Sequence, residues 1–166
     1  MMKLRLMAAA LCVAAGPATA DAISDFYTGK TISLVISTGV GGGVVIDRVA
    51  REGRNAVGGE FGHGQQQGVA IEALIEGRPH QPRQCYCGQV DCREQYFSGP
   101  AVEREFFERT GRKRSLADIE SAALAGDTHA SAALVRWSER LAVSLGDVVN
   151  LIDPDCIVLG GGVSNL

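Results

Sequence analysis

The sequence predicts an α/β fold, on three observations. Short β-branched runs bordered by glycine turns stand at Thr31–Ser37, Val44–Ile46 and Cys156–Leu159. Three stretches between residues 98 and 153 repeat apolar residues at three- and four-residue steps, the period of a helix with one buried face. The composition, 46% hydrophobic and 21% charged over 166 residues, suits one folded domain with a real core.

The first twenty residues form a unit of their own. Lys3 and Arg5 give a basic start, Leu6 to Ala15 an apolar run, and Ala18-Thr19-Ala20 a small-residue exit. That is the pattern of a secretory signal peptide cut before Asp21. The run is too short to span a bilayer, so no stable membrane anchor is expected after cleavage. The chain's net charge is -3, and the leader holds two cations and no acid, so the remainder would carry -5. That balance gives no general pull toward nucleic acid.

In residues 21–36, Gly29-Lys30 is the turn before the first buried strand, Thr31 to Ser37. "STGVGGGVVID" then makes a glycine turn and a second strand, Val44 to Ile46. "REGRNAVGGEFGH" reads as a loop, and residues 64–84 as an irregular connection with little periodicity. Three helices are expected next. The first has Pro100 in its first turn and Gly111 at its end. The second has Ser115 as N-cap, with Leu116, Ile119, Ala123 and Leu124 on one face. The third carries a long stripe, Ala133, Leu134, Trp137, Leu141, Leu145, Val148 and Val149, which should pack on a sheet before Pro154 ends it. A buried strand, Cys156 to Leu159, closes the series and runs into Gly160-Gly161-Gly162.

The stretch "RQCYCGQVDCRE" concentrates the chemistry, with Cys85, Cys87 and Cys92 within eight residues. Zinc takes four sulfur and imidazole ligands in a tetrahedral shell, and Cys-x-Cys-x4-Cys supplies three of them around a bend that Gly88 permits. The fourth ligand should be a histidine: His63 and His80 both lie where they could reach, whereas His129 opens a helix and is expected to be solvated. Disulfide pairing is the competing reading for an exported chain, and free thiols are the third. Cys85 and Cys87 are too close for good geometry with each other, and three thiols leave one over.

Five separated motifs, "STGVGGG", "GEFGH", "CYCGQVDCRE", "FSGPA" and "DPDCIVLGGGVSN", together resemble the ROK family of bacterial fructokinases, glucokinases, N-acetylhexosamine kinases and sugar-responsive repressors. The spacing from His63 to Cys85 looks most like the fructokinase and N-acetylglucosamine kinase branches. The resemblance covers residues 37–166 and implies part of a ribonuclease H-like domain, of the actin-like ATPase and hexokinase type, with a zinc-bound loop. It implies His63, Cys85, Cys87 and Cys92 as ligands of a structural zinc, and Glu60, His63 and Glu94 as sugar contacts. Carboxylates there would accept hydrogen bonds from paired sugar hydroxyls. It implies nucleotide-binding loops at Thr38, Gly39 and Gly41 and at Gly160, Gly161 and Gly162, where bare backbone can approach phosphate. Zinc, ATP and Mg2+ are therefore the expected cofactors, a sugar the expected partner, and a homodimer remains open.

A second resemblance covers residues 1–43. "FYTGKTISLVIS" is similar to the mature start of periplasmic solute-binding proteins of tripartite tricarboxylate transporters. The two resemblances together suggest a chimera joined near Ser37, with a conflict of compartment: the leader points to the periplasm and the body to the cytoplasm. ROK kinases carry an Asp-x-Gly-Gly-Thr loop and a catalytic aspartate upstream of the first glycine turn, whereas only Asp21 and Asp25 precede Ser37 here. Little or no phosphoryl transfer is expected of these 166 residues, and a periplasmic solute binder is the alternative. Two further departures fall in the thiol loop. Asp91 replaces the usual glycine before the third cysteine and Arg93 the usual apolar residue after it, changes expected to loosen the turn or alter the charge beside the metal.

Overall fold

The structure is a computed structural model that describes residues 32–37, as backbone, and 42–160. The leader, the solute-binder-like segment up to residue 31, the turn containing Thr38, Gly39 and Gly41, and the terminal Gly161 and Gly162 lie outside the described residues.

The β-branched runs form a mixed four-stranded sheet in the order β3-β2-β1-β4. β1 (Ile32–Ser37) pairs antiparallel with β2 (Gly42–Ile46) and parallel with β4 (Cys156–Gly160), so that Val35 faces Gly43 on one side and Val158 on the other. β3 (Val49–Arg51) is an additional strand, in residues to which the sequence reading assigned no element and at the first residue of the expected loop. It returns from β2 through Asp47 and Arg48, both at positive φ (53° and 66°), the geometry of a tight two-residue hairpin. Glycine or asparagine usually announces such a turn, and its absence hid the strand.

The chain between β3 and β4 supplies the helices. A single 3-10 turn, Phe61–His63, is followed by α1 (Val69–Ile75), a helix in the stretch read as irregular. α1 buries only Val69 and Ala73 and exposes Ile71, Leu74 and Ile75, so its sequence shows no clean apolar stripe. α2 (Glu94–Phe97) leads into α3 (Gly99–Thr110), which begins with Pro100 in its first turn and ends at left-handed Gly111, as expected. α4 (Leu116–Leu124) starts with a full capping box: the Ser115 hydroxyl accepts from the Asp118 amide, and the Asp118 carboxylate accepts from the Ser115 amide. α5 (Thr128–Ile152) is capped by Asp127, which accepts from the amides of His129 and Ala130. Arg112 also donates to Asp127 and, as the largest cause, holds its carboxyl well below the usual range.

Two cores result. One gathers Phe61, Val69, Tyr96, Phe97, Leu141 and Val148, with Val44 of β2 and Ile157 of β4 against it, so α5 does pack on the sheet. The other joins α3, α4 and α5 through Val102, Phe106, Ile119, Ala130 and Ala133. Trp137 borders both, and its indole N–H donates to the Phe97 carbonyl at 3.2 Å. Three sequence expectations need correction. Leu124 lies at the end of α4 and points to solvent, and Val149 is exposed at the far end of the α5 stripe. β4 is half-buried to exposed because it forms an edge of the described sheet.

Candidate metal centre

The thiol loop folds as a small hairpin. The Cys85 amide donates to the Gln89 carbonyl at 2.9 Å, the Gly88 amide to the Cys85 carbonyl at 3.0 Å, and the Asp91 amide to the Arg83 carbonyl at 2.8 Å. Gly88, at φ 89°, makes the bend. Two backbone hydrogen bonds fasten the 3-10 turn to this hairpin: the Gln66 amide donates to the Asp91 carbonyl at 2.7 Å and the Arg93 amide to the Gly64 carbonyl at 2.8 Å. Its near end is fixed against β2 by Gly59, where a Cβ would lie 2.7 Å from the Gly43 Cα. His63 is therefore carried to the cysteines from a distant point in the sequence by the fold itself.

His63, Cys85, Cys87 and Cys92 offer ligand atoms that all lie within 4.8 Å of one another. Zinc–sulfur bonds of about 2.3 Å and zinc–nitrogen bonds of about 2.0–2.1 Å put ligand atoms roughly 3.5–3.8 Å apart along the edges of a tetrahedron. His63 Nδ1 lies 3.8 Å from Cys85 Sγ, and Cys87 Sγ lies 3.5 Å from Cys92 Sγ, so the set fits such an ion with little adjustment. All four described cysteines are free thiols. Within the cluster a backbone hydrogen bond at Gln89 draws the Cys87 thiol down, whereas burial pushes Cys92 up to about 12. Three thiols this close become thiolates together only around a cation, and that is the donor chemistry of a metal site.

His80 does not compete for the ion. Its Nε2 lies 2.8 Å from Asp91 Oδ2. His129 is exposed at the start of α5, as expected. Asp91 does the opposite of loosening the turn. It adopts φ 55°, a left-handed conformation that aspartate tolerates better than most residues, and it is 5% exposed. Its carboxylate accepts from the Arg83 amide at 2.9 Å and the Tyr96 hydroxyl at 2.6 Å as well as meeting His80. Burial acts to raise its pKa, but these three partners outweigh it and hold the carboxyl below its usual value. Arg93 also finds a place. It pairs with Asp147 of α5 at 2.6 Å and covers the Phe61 ring at 4.5 Å, tying the loop to the helical core.

Asp91→Gly should therefore destabilise the chain by about 2–3 kcal/mol, since three hydrogen bonds are lost and only modest backbone strain is relieved. Urea unfolding would read this, and Asp91→Asn should fall between the two. A glycine variant as stable as the parent would show that the three bonds contribute nothing.

On the outer side of the cluster stand the expected sugar-contact residues. His63 turns Nδ1 to the thiols and Nε2 outward, 3.9 Å from Glu60 Oε2. The Tyr86 hydroxyl, absent from the sequence expectations, lies 3.0 Å from that Nε2 and donates to Glu94 Oε2 at 3.4 Å. The available signal was its position: a residue between two ligand cysteines is thrown to the face away from the metal. Of the expected nucleotide contacts only Gly160 falls among the described residues, at the end of β4.

The result is a mixed α/β domain in which a Cys/His cluster stands beside outward-facing acids. The ROK family profile matches residues 10–166, and the chain belongs to that family. It is 37% identical over 142 residues to the N-acetyl-D-glucosamine kinase of Yersinia pseudotuberculosis serotype O:1b (strain IP 31758), covering 85% of this chain and 46% of that protein. It is 39% identical over 137 residues to the N-acetyl-D-glucosamine kinase of Erwinia tasmaniensis, covering 81% and 44%. The chain thus spans about half the length of these curated relatives. Among solved structures it is similar to a ROK hexokinase from Thermus thermophilus, with TM-score 0.66 and 29% identity over 83% of this chain and 43% of that one. A ROK family glucokinase from Streptomyces griseus in complex with glucose and AMPPNP gives TM-score 0.63 and 28% identity, covering 82% and 45%. Among the described residues no helix is long and apolar enough to cross a membrane.

Proposed function

We propose that this chain carries the sugar-recognition part of an ATP-dependent kinase acting on a hexose or N-acetylhexosamine, with a structural zinc fastening the recognition loop. The observation that carries the reading is the division of labour at His63: Nδ1 faces the thiols at 3.8 Å, while Nε2 opens toward Glu60 and the Tyr86–Glu94 contact. One imidazole can then serve as ligand on one edge and hydrogen-bond partner on the other. Glu60 and Glu94 accept from adjacent sugar hydroxyls, and a rigid loop keeps them at fixed spacing. Zinc supplies rigidity when bound and takes no part in the transfer. The names of the relatives favour an N-acetylated hexosamine over fructose as the sugar.

ATP and Mg2+ belong to the same reading through the glycine turns at Thr38, Gly39 and Gly41 and at Gly160, Gly161 and Gly162. Phosphoryl transfer also needs a base on the attacking hydroxyl. The 166 residues contain no Asp-x-Gly-Gly-Thr loop, and the only aspartates before Ser37 are Asp21 and Asp25. The chain tested by itself should therefore bind sugar without turning it over. Calorimetric titration with N-acetylglucosamine, N-acetylmannosamine, glucose and fructose, paired with a coupled kinase assay, tests both halves. Glu94→Gln should weaken sugar binding by about ten-fold, the loss of one charged hydrogen-bond acceptor. Turnover by the isolated chain would overturn the second half, and an unchanged affinity in Glu94→Gln the first.

A further inference from the structure

On the other side of the thiol hairpin lies an open cavity of about 540 Å³. Its lining includes none of His63, Cys85, Cys87 and Cys92 and neither Glu60 nor Glu94; His80, which faces Asp91 instead of the thiols, is part of it. Its walls come from the 78–84 loop, α3 and α5, and they are rich in arginine. Around it the guanidiniums of Arg78, Arg83, Arg104, Arg109, Arg136 and Arg140 share the carboxylates of Glu72, Glu76, Glu105 and Glu108. Six cations meet four anions, and the surplus is not evenly spread. Glu105 is surrounded by four of the arginines, which leaves it no capacity for a fifth.

Arg104 is the poorly matched cation, since its neighbour Arg83 also reaches Glu108 at 3.2 Å and Glu105 at 3.4 Å. Both arginines donate to one neutral acceptor, the Gln95 carbonyl, at 2.8 Å each. Arg104 has no carboxylate within hydrogen-bond distance, the nearest being Glu108 at 3.9 Å. The single charge of Glu108 lies 3.2 Å from Arg83 and 3.9 Å from Arg104, and a dianion reaching both guanidiniums would neutralise them more fully. Arginine forks match the oxygens of a tetrahedral phosphate bidentately. The cavity is larger than phosphate alone requires, and Gln81 and Gln84 add amides able to hold hydroxyls.

We propose that this cavity binds a small phosphate monoester carrying hydroxyl groups, with Arg83 and Arg104 holding the phosphate. The site stands apart from the sugar-recognition reading and does not depend on it. Because Arg83 also donates its amide to Asp91, an occupied cavity would stiffen the strap that backs the thiol hairpin.

Calorimetry on the full 166-residue chain at fixed ionic strength tests it, with inorganic phosphate and glycerol 3-phosphate as probes and chloride as control. Saturable one-to-one binding is expected, tighter for glycerol 3-phosphate. Arg104→Gln should weaken both by about ten-fold or more, the usual effect of losing a charge-assisted hydrogen bond. Glu108→Gln, which removes a competing carboxylate from a half-exposed position, should tighten both. The two variants move affinity in opposite directions, so a folding defect in either does not imitate the result. Equal response to chloride, or variants that bind both probes like the parent, would overturn the proposal.

Discussion

Glu105→Ala is expected to destabilise the chain by about 3–5 kcal/mol, the cost of leaving buried charge without its counterpart. Glu105 sits on α3, 7% exposed, and Arg140 reaches it from α5 with contacts of 2.6 and 3.2 Å. Arg109, Arg136 and Arg83 converge on the same carboxylate at 3.0, 3.2 and 3.4 Å. Truncation leaves Arg140 with Glu72 alone and adds like-charge repulsion among the remaining arginines. Burial tends to raise the Glu105 pKa, but the Arg140 hydrogen bond and the surrounding positive charge overcome it and bring it from 4.5 down to about 2. A depressed carboxyl stabilises the fold fully above its unfolded pKa, and that contribution fades as pH falls from 4.5 toward 2. It is worth on the order of 3 kcal/mol. Other carboxylates titrate in the same window, so the informative quantity is the difference between the parent and Glu105→Gln. That difference in urea-unfolding free energy should be large near neutrality and shrink at low pH. A pH-independent difference would mean that shape, not charge, makes Glu105 matter.

This network shows where sequence reading stops. The elements that follow local rules were legible. Ser115 and Asp118 specify a capping box, Pro100 and Gly111 bracket α3, and the α5 stripe predicts its packing on the sheet. The Cys85-Cys87-Cys92 spacing and "GEFGH" marked the metal cluster, although choosing His63 over His80 rested on the family resemblance rather than on spacing. What failed lacked a local signature. β3 follows an Asp47-Arg48 turn with no glycine, and α1 buries two residues only. Glu105, Arg140 and Glu72 are separated by tens of residues and look like ordinary solvated charges until the helices cross. Asp91 is the instructive case. In sequence it is a carboxylate replacing a glycine at a turn; in the fold its partners His80, Arg83 and Tyr96 arrive from both sides. Departure from a family pattern was visible, but the compensation needed three dimensions.

Loading of the thiol cluster should have the other large effect. Elemental analysis of reduced, freshly purified protein is expected to find one zinc per chain, and cobalt substitution to give the visible bands of a tetrahedral thiolate site. Cys92→Ser should weaken binding severely, since it removes a thiolate from a fully buried corner of the cluster. His63→Ala should weaken binding while leaving three thiolates, and it should also release the Tyr86 hydroxyl from its 3.0 Å contact. The stabilisation lost on chelation is set by mass action, about 4 kcal/mol where free zinc exceeds its dissociation constant a thousand-fold. It should be smaller than in zinc-finger peptides, which gain their whole fold from the metal. Here the Gln66–Asp91 and Gly64–Arg93 backbone bonds already hold the ligands in place. Affinity should also climb with pH. The Cys92 thiol, pushed up to about 12 by burial, keeps its proton near neutrality, and zinc must displace it. Metal-free protein that melts at the same temperature as loaded protein would remove the structural role. Zinc affinity unchanged in His63→Ala would remove the imidazole from the shell, and with it the link between the ion and the outward-facing carboxylates.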